Sequence, residues 1–324
     1  METYTIAVLL LAATLRVGTP LVLAALGGLF SERSGVIALG LEGMMLGGAF
    51  AAACVAAVSG SAWLGLCAGM GAGALLALVL AYACVTQRGN QVVAAMALNI
   101  LISGLAPALA LAWFDEGGPT PELVRSSQRF VGLVWPGATV ARRHPWPGLL
   151  YAELISGHSA LVYITAALIP VSAWVLYRTR FGLRLRAVGE NPQAAETAGV
   201  SVDRLRYQGV LLSGIFCGVA GAYLSLCAGA GFLRDMTAGK GYLALAALIF
   251  GKWRPYPTVA ACLLFAFADA LADQIQGVAL PWVGVIPAQF ILALPYAVTV
   301  LVLAGFVGKS IPPKAIGLPY AKER

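Results

Sequence analysis

Nine apolar stretches dominate this sequence: 5–29, 36–58, 62–85, 91–113, 159–177, 209–229, 241–251, 257–276 and 286–307. Most are near the length at which an α-helix crosses roughly 30 Å of hydrocarbon. Hydrocarbon offers no water to backbone N–H and C=O groups, so only helices or a closed barrel can span it. Barrel strands are about half as long and alternate polar with apolar residues, a pattern these stretches lack. Composition agrees, with 60% hydrophobic and only 11% charged residues and a mean hydropathy of +0.85, where soluble domains carry about 25% charge. The expected fold class is all-α, a polytopic transmembrane helical bundle of about nine spans. One membrane domain covers 1–308, a tail follows at 309–324, and no room remains for a soluble enzyme domain. The N-terminal stretch lacks a basic n-region and a cleavage site, and is expected to be a retained span.

Two stretches are irregular. The segment 241–251 is too short to cross alone and is bracketed by Gly239, Gly241 and Gly251, and the second stretch is interrupted by Gly40-Leu41-Glu42-Gly43. Half-spans survive only where protein or a water-filled cavity satisfies the backbone, and one in each half of the chain points towards an internal inverted repeat around a central pathway. Orientation follows from the short loops. Placing 178–208 in the cytoplasm gathers fourteen of the 21 basic residues on that side, including Arg33, Arg88, Lys252, Arg254, Lys309 and Lys314, as the positive-inside rule requires. The N-terminus is then outside, the C-terminus inside, and the Pro- and Trp-rich segment 114–158 is an external cap able to meet a delivery protein. The net charge of +7 reflects this topology rather than nucleic-acid binding, since no basic stripe with interleaved aromatics occurs.

Few residues could carry chemistry. Glu42, inside an apolar stretch, is costly unless paired; it is either a pathway-lining group or an internal partner for Arg16 or a backbone amide, and the structural role is favoured. Asn99 sits mid-span and could meet a polar solute or bond to a neighbouring helix. In ADALADQIQG, Asp269 and Asp273 share a helix face; Asp273, Gln274 and Gln276 are expected near the outer surface, with Asp269 deeper and the better pathway candidate. Glu32 and Arg33 are expected to be solvated at the cytoplasmic edge. Gly69, Gly73, Gly214, Gly218 and Gly221 suit close helix packing, while Trp113, Trp174 and Trp282 suit interfacial anchoring. The six cysteines lack CxxC spacing and read as buried small hydrophobes. His144 and His158 make no metal site. FVGKS at 306–310 resembles the end of a P-loop, but position 303 is leucine where glycine is required. No catalytic constellation is present, so any dependence on ATP must come from a partner.

The basic segment 178–208 contains a short helix signature. Asn191-Pro192 is a good N-cap and first-turn pair, Gly199 a good stop, and Ala194, Ala195 and Ala198 are small enough for a close fit to another protein. Such a loop is read as a docking surface for a cytoplasmic motor. Several blocks, in order, then carry a resemblance: GLFSERSGV (28–36), GLEG (40–43), NQVV (90–93), ALN (97–99), LRAVGENP (185–192), AAETAG (194–199), GKGY (239–242) and ALIFGKWRP (247–255). Together they resemble permease subunits of bacterial ABC importers for simple sugars and nucleosides, in the branched-chain amino acid/ribose permease superfamily, with the nucleoside importers closest. The resemblance implies that 189–199 seats in a groove of the ATPase, with Gly189, Glu190, Asn191, Pro192, Ala194, Ala195, Glu196 and Gly199 as the coupling residues. It implies a paralogous permease, a cytoplasmic ABC ATPase holding ATP and magnesium, an extracytoplasmic substrate-binding (lipo)protein, and a home in the bacterial inner membrane. This chain itself is expected to bind no cofactor. Nucleosides fit best, with simple sugars or riboflavin as alternatives. An ion-driven secondary transporter or channel is the rival class; it leaves the capped helix unexplained.

Overall fold

The computed structural model describes residues 2–114, 119–138, 148–275 and 310–321, with 279–280, 284–285 and 297. Among these, seven helices are long and apolar enough to cross a bilayer. They are α1 (Glu2–Arg33), α2 (Leu41–Ser59), α3 (Ala62–Thr86), α4 (Gln91–Phe114), α5 (Ala160–Arg178), then α8 (Val202–Ala228) and α10 (Pro255–Ile275). Between them lie α6 (Arg180–Glu190), α7 (Pro192–Thr197) and the short α9 (Lys240–Phe250). The expected span 286–307, apart from residue 297, and Trp282 fall outside the described residues. A two-residue antiparallel pair joins Ala279–Leu280 to Gly284–Val285.

The bundle core is formed by α1, α2, α3 and α8, and its closeness comes from side-chain deletion. Lipid tails give helices no hydrophobic reason to associate, so contact depends on backbones approaching closely enough for dispersion. A Cβ on Gly73 would collide with the Gly214 carbonyl, one on Gly218 with the Gly69 carbonyl, and one on Gly221 with the Met45 carbonyl. The glycines read from the sequence as packing positions therefore interlock α2, α3 and α8. A graded test separates them from an idle glycine. At Gly69 an added Cβ would lie 3.0 Å from the Gly48 carbonyl oxygen and 3.2 Å from Ala222 Cβ, whereas at Gly71 it would meet nothing within 4 Å. Gly69→Ala is expected to cost about 1–2 kcal/mol through overpacking. Gly71→Ala should be neutral or gain up to about 1 kcal/mol of helix propensity. Thermal unfolding of the two variants in one detergent checks the difference.

By contrast, 72% of the most apolar window of α2 and of α8 is buried, against 28% for α4 and α5. Val93, Ile100 and Leu101 of α4 and Trp174 of α5 are exposed, leaving these helices to face lipid or another subunit. Trp113 is exposed as well and stacks on Phe50 at 5.8 Å.

Three boundaries differ from expectation. The second span begins helically at Leu41 rather than 36. Gly35 takes φ +92° to end α1, and 36–40 returns without helical bonds. That stretch is satisfied by side chains: Gln91 Oε1 accepts from Ile37 N at 2.8 Å, Glu32 Oε1 from Ala38 N at 3.3 Å, and Asn99 Nδ2 donates to Leu39 O at 2.9 Å. The helix expected at 209–229 starts instead at Val202, with Asp203 in its first turn favouring that start. The loop 178–208 is mostly helical, because α6 is capped by Thr179, whose side chain accepts from Gly182 N, and lays Leu185 and Val188 on the bundle.

Loops at each end of the bundle gather. Segment 119–138 pairs with the α8–α9 connection through Thr120 N to Phe232 O and Leu123 N to Ala230 O, and with the end of α8 through Phe130 N to Leu226 O, and Phe130 meets Trp63 edge-on. At the opposite end lie the α1–α2 junction, α6, α7, the 251–254 turn and residues 310–321. This end carries Arg33, Arg178, Arg180, Arg184, Arg186, Lys252, Arg254 and Lys314.

Candidate functional site

The two breaks meet. The N-terminus of α9 packs on the first turn of α2, so closely that a Cβ on Gly241 would touch the Glu42 backbone. Glu42 Oε1 accepts from Gly239 N at 2.9 Å, and Oε2 from Gly241 N at 2.6 Å. The first amides of a helix have no partner within it, and a carboxylate supplies both an acceptor and a charge matched to the dipole. Of the partners weighed from the sequence, the backbone amide is the one present; Arg16 lies in a different cavity. Gly239, at φ +77°, lets the chain turn into α9, and Ala238 holds φ +46° just before it, a region non-glycine residues seldom enter.

Asn99 is buried and uses both ends of its amide. Its Oδ1 accepts from Gly43 N at 2.9 Å, while Nδ2 donates to Leu39 O and to Tyr242 Oη, each at 2.9 Å. It thereby ties α4 to the break before α2 and to α9. Glu42 and Asn99 border one cavity of about 220 Å³, together with Ser103, Asp235, Thr237 and Tyr242. Asp269 is elsewhere. It borders a cavity of about 790 Å³ with Arg16, Tyr223, Lys240 and Asp273. Asp269 is half-buried and Asp273 exposed. The three residues singled out as pathway candidates are therefore divided between two cavities that share Ala238.

At the basic end, Asn191 Oδ1 accepts from Ala194 N at 3.1 Å, Pro192 opens α7, and Gly199 takes φ +81° after it. The segment 189–199 is not one helix: Gly189 and Glu190 close α6, and only 192–197 form α7. Ala195 faces the bundle and is buried, while Gln193, Ala194, Thr197 and Ala198 are exposed. Ala195 is thus an anchor, and Ala194 and Ala198 remain on the free face. Gly189 lies against the Arg33 carbonyl, where no side chain would fit.

Glu32 and Arg33 are not solvated as expected. Glu32 is 3% exposed, accepts from the Trp253 indole at 2.5 Å and closes the α1–α2 junction through Ala38. Arg33 donates through Nε and Nη2 to Trp253 O at 3.0 and 2.6 Å, and its Nη1 lies 4.0 Å from Glu190 Oε1. Trp253 and Lys252 both hold positive φ, 53° and 51°. This cluster went unread because Glu32 and Arg33 lie about 220 positions from Trp253 and more than 150 from Glu190; its members were visible only as parts of the separate blocks GLFSERSGV, LRAVGENP and ALIFGKWRP.

A family described as the permease component of branched-chain amino acid transport systems matches residues 10–303. The guanosine ABC transporter permease protein NupQ of Bacillus subtilis is 38% identical over 328 residues, 99% of each chain. The nucleoside ABC transporter permease protein NupC of Lactococcus lactis is 38% identical over 323 residues, 98% of each. A Haloferax volcanii protein whose name proposes a glucose ABC transporter permease, TsgC13, is 36% identical over 309 residues, 91% of this chain and 90% of its own.

Proposed function

The chain belongs to the family of permease components of branched-chain amino acid transport systems and is a membrane-spanning permease subunit of an ABC importer; we propose that it is non-catalytic and carries nucleosides. The observation that carries the substrate reading is the full-length likeness to two permeases named for guanosine and nucleosides. Simple sugars are the second reading, favoured by the likeness to the protein named for glucose. In this reading the chain pairs with a paralogous permease, receives solute from an external binding protein and is driven by a cytoplasmic ATPase that holds ATP and magnesium. The basic end faces the cytoplasm, which supports an external N-terminus and an internal C-terminus. Glu42, Asn99 and Asp269 border the solute's route.

The geometry supports a route for force. ATP-driven movement of the ATPase would push α7 and the end of α6. Glu190 and Arg33 join that point to the Trp253 carbonyl, in the turn that follows α9 and bonds back to its Leu248 carbonyl. Being 11 residues long, α9 is a rod of about 16 Å at 1.5 Å per residue, and its far end is the pair of amides held by Glu42. A push at the coupling end therefore reaches the cavity bordered by Glu42 and Asn99. Arg33→Gln is expected to lower ATP-driven uptake about twofold to thirtyfold, the range set by coupling energies of about 0.5–2 kcal/mol, while ATPase recovery stays within about twofold. Uptake assays beside co-purification check this.

A mild-detergent pull-down of the chain from its native membrane, with mass spectrometry, tests the assembly. A P-loop ATPase and a second permease are the expected companions, and the co-purified binding protein is then screened against nucleosides, sugars and riboflavin. Recovery of the chain alone would return the stand-alone transporter to the front.

A further inference from the structure

Residues 310–321 bond to five elements at the basic end: α9, α6, the α1–α2 junction, α8 and α7. Ser310 Oγ donates to Ile249 O at 3.0 Å, at the end of α9. Ala315 N donates to Gly189 O at 2.9 Å, and Gly317 N to Gly35 O at 3.1 Å. Arg206, 1% exposed, donates from Nη1 to Leu318 O at 3.0 Å. The Tyr320 hydroxyl bonds Glu196 of α7, and the Tyr320 ring joins the cluster containing Ala195, Leu205 and Trp253. Backbone bonds to α6 and to the α1–α2 junction, with side-chain bonds to α7, α8 and α9, leave these residues little freedom of their own.

The end of this segment stands beside α7. Pro192 and Gln193 on one side and Leu318, Pro319 and Tyr320 on the other border a groove of about 420 Å³, with Lys314 at its edge. Leu318 is 58% exposed at the end of the molecule that carries the basic loops, where lipid would not cover it. The groove is continuous with the exposed face of α7, and the coupling reading already places the ATPase on that face. We propose that residues 310–321 are a strap that completes the ATPase seat. Its 318–321 portion forms the second wall of the groove, and Tyr320 holds α7 in register through Glu196. This proposal rests on α7 being the coupling helix.

The test uses the intact transporter purified with its ATPase, in four variants. Leu318→Glu places a charge on an exposed wall residue and should leave folding intact; removal of residues 318–324 deletes the wall but keeps the bonds at Ala315 and Gly317. Both are expected to lower ATPase recovery about tenfold, the loss of about 1.4 kcal/mol of association energy, with the second permease still recovered. A photo-crosslinking residue at 318 is expected to capture the ATPase. Ala195→Pro, which breaks α7 itself, separates the two ideas. If it releases the ATPase while both strap variants retain it and position 318 captures none, the strap proposal is overturned and the coupling reading stands. If Ala195→Pro also retains the ATPase, the coupling reading fails, and the strap proposal fails with it.

Discussion

Glu42→Ala should lower the stability of the permease by about 3 kcal/mol and abolish most uptake. Two amides, of Gly239 and Gly241, would lose the carboxylate that accepts from both. Each buried polar group left unpaired costs about 1–3 kcal/mol, and more where the lost partner was charged. The partial exposure of Glu42 allows water to recover part of that, which keeps the sum in the lower half of a range of about 2–6 kcal/mol. The consequence for transport is larger than the stability figure suggests, since α9 loses its fixed end next to the cavity shared by Glu42 and Asn99. Glu42→Gln keeps one good acceptor for the two amides and is expected to cost about 1 kcal/mol. Thermal unfolding of both variants, read beside uptake, decides the role. A Glu42→Ala protein that melts like the wild type yet fails to transport would make Glu42 a solute ligand rather than the pin of α9.

Ala195→Pro is expected to leave membrane insertion intact and to reduce ATPase recovery at least about tenfold. Proline at this position removes the bond from Ala195 N to Asn191 O, 3.1 Å long, and its ring clashes with the preceding turn, at a cost of about 3 kcal/mol or more. A helix of six residues has no further turns over which to spread that loss, because short helices are already marginal. The seven long helices lie outside the change, so insertion should proceed. Asn191→Ala offers a milder companion: it removes only the cap on Ala194 N, worth about 1 kcal/mol, and should lower recovery a few-fold. Normal ATPase recovery and normal uptake in the proline variant would remove α7 from the coupling role.

Much of the bundle was legible because the bilayer imposes a simple rule. Spans 62–85, 91–113, 159–177 and 257–276 coincide with helices to within two residues or so, since hydrophobic length and the need to satisfy the backbone leave no other choice. The cap at Asn191 and the stop at Gly199 were equally legible, for they depend on residues within one helical turn. Where the reading missed, polarity was misleading. The run 178–208 looked like loop because its arginines hide an amphipathic pattern, yet Thr179 caps α6 and Leu185 and Val188 bury its inner face. Glu32 looked solvated because an ionisable residue at a helix end usually is; it is instead enclosed by the Trp253 indole and the Ala38 amide.

The sequence by itself therefore determined the fold class, the number of long spans among the described residues, the glycine faces and the caps of α7. Each follows from solvent preference or from neighbours a few residues apart. Only the tertiary structure decided that Glu42 ends on the amides of Gly239 and Gly241, that Arg33 joins Glu190 to Trp253, that Ala195 faces inward, and that residues 310–321 return to Gly189 and Gly35. Those contacts unite residues more than 100 positions apart, save Ala195, whose direction depends on what α7 packs against. Hydrophobic periodicity says that a polar group inside a bundle must find a partner, but only the packing of the helices determines which donors come within 3 Å of it.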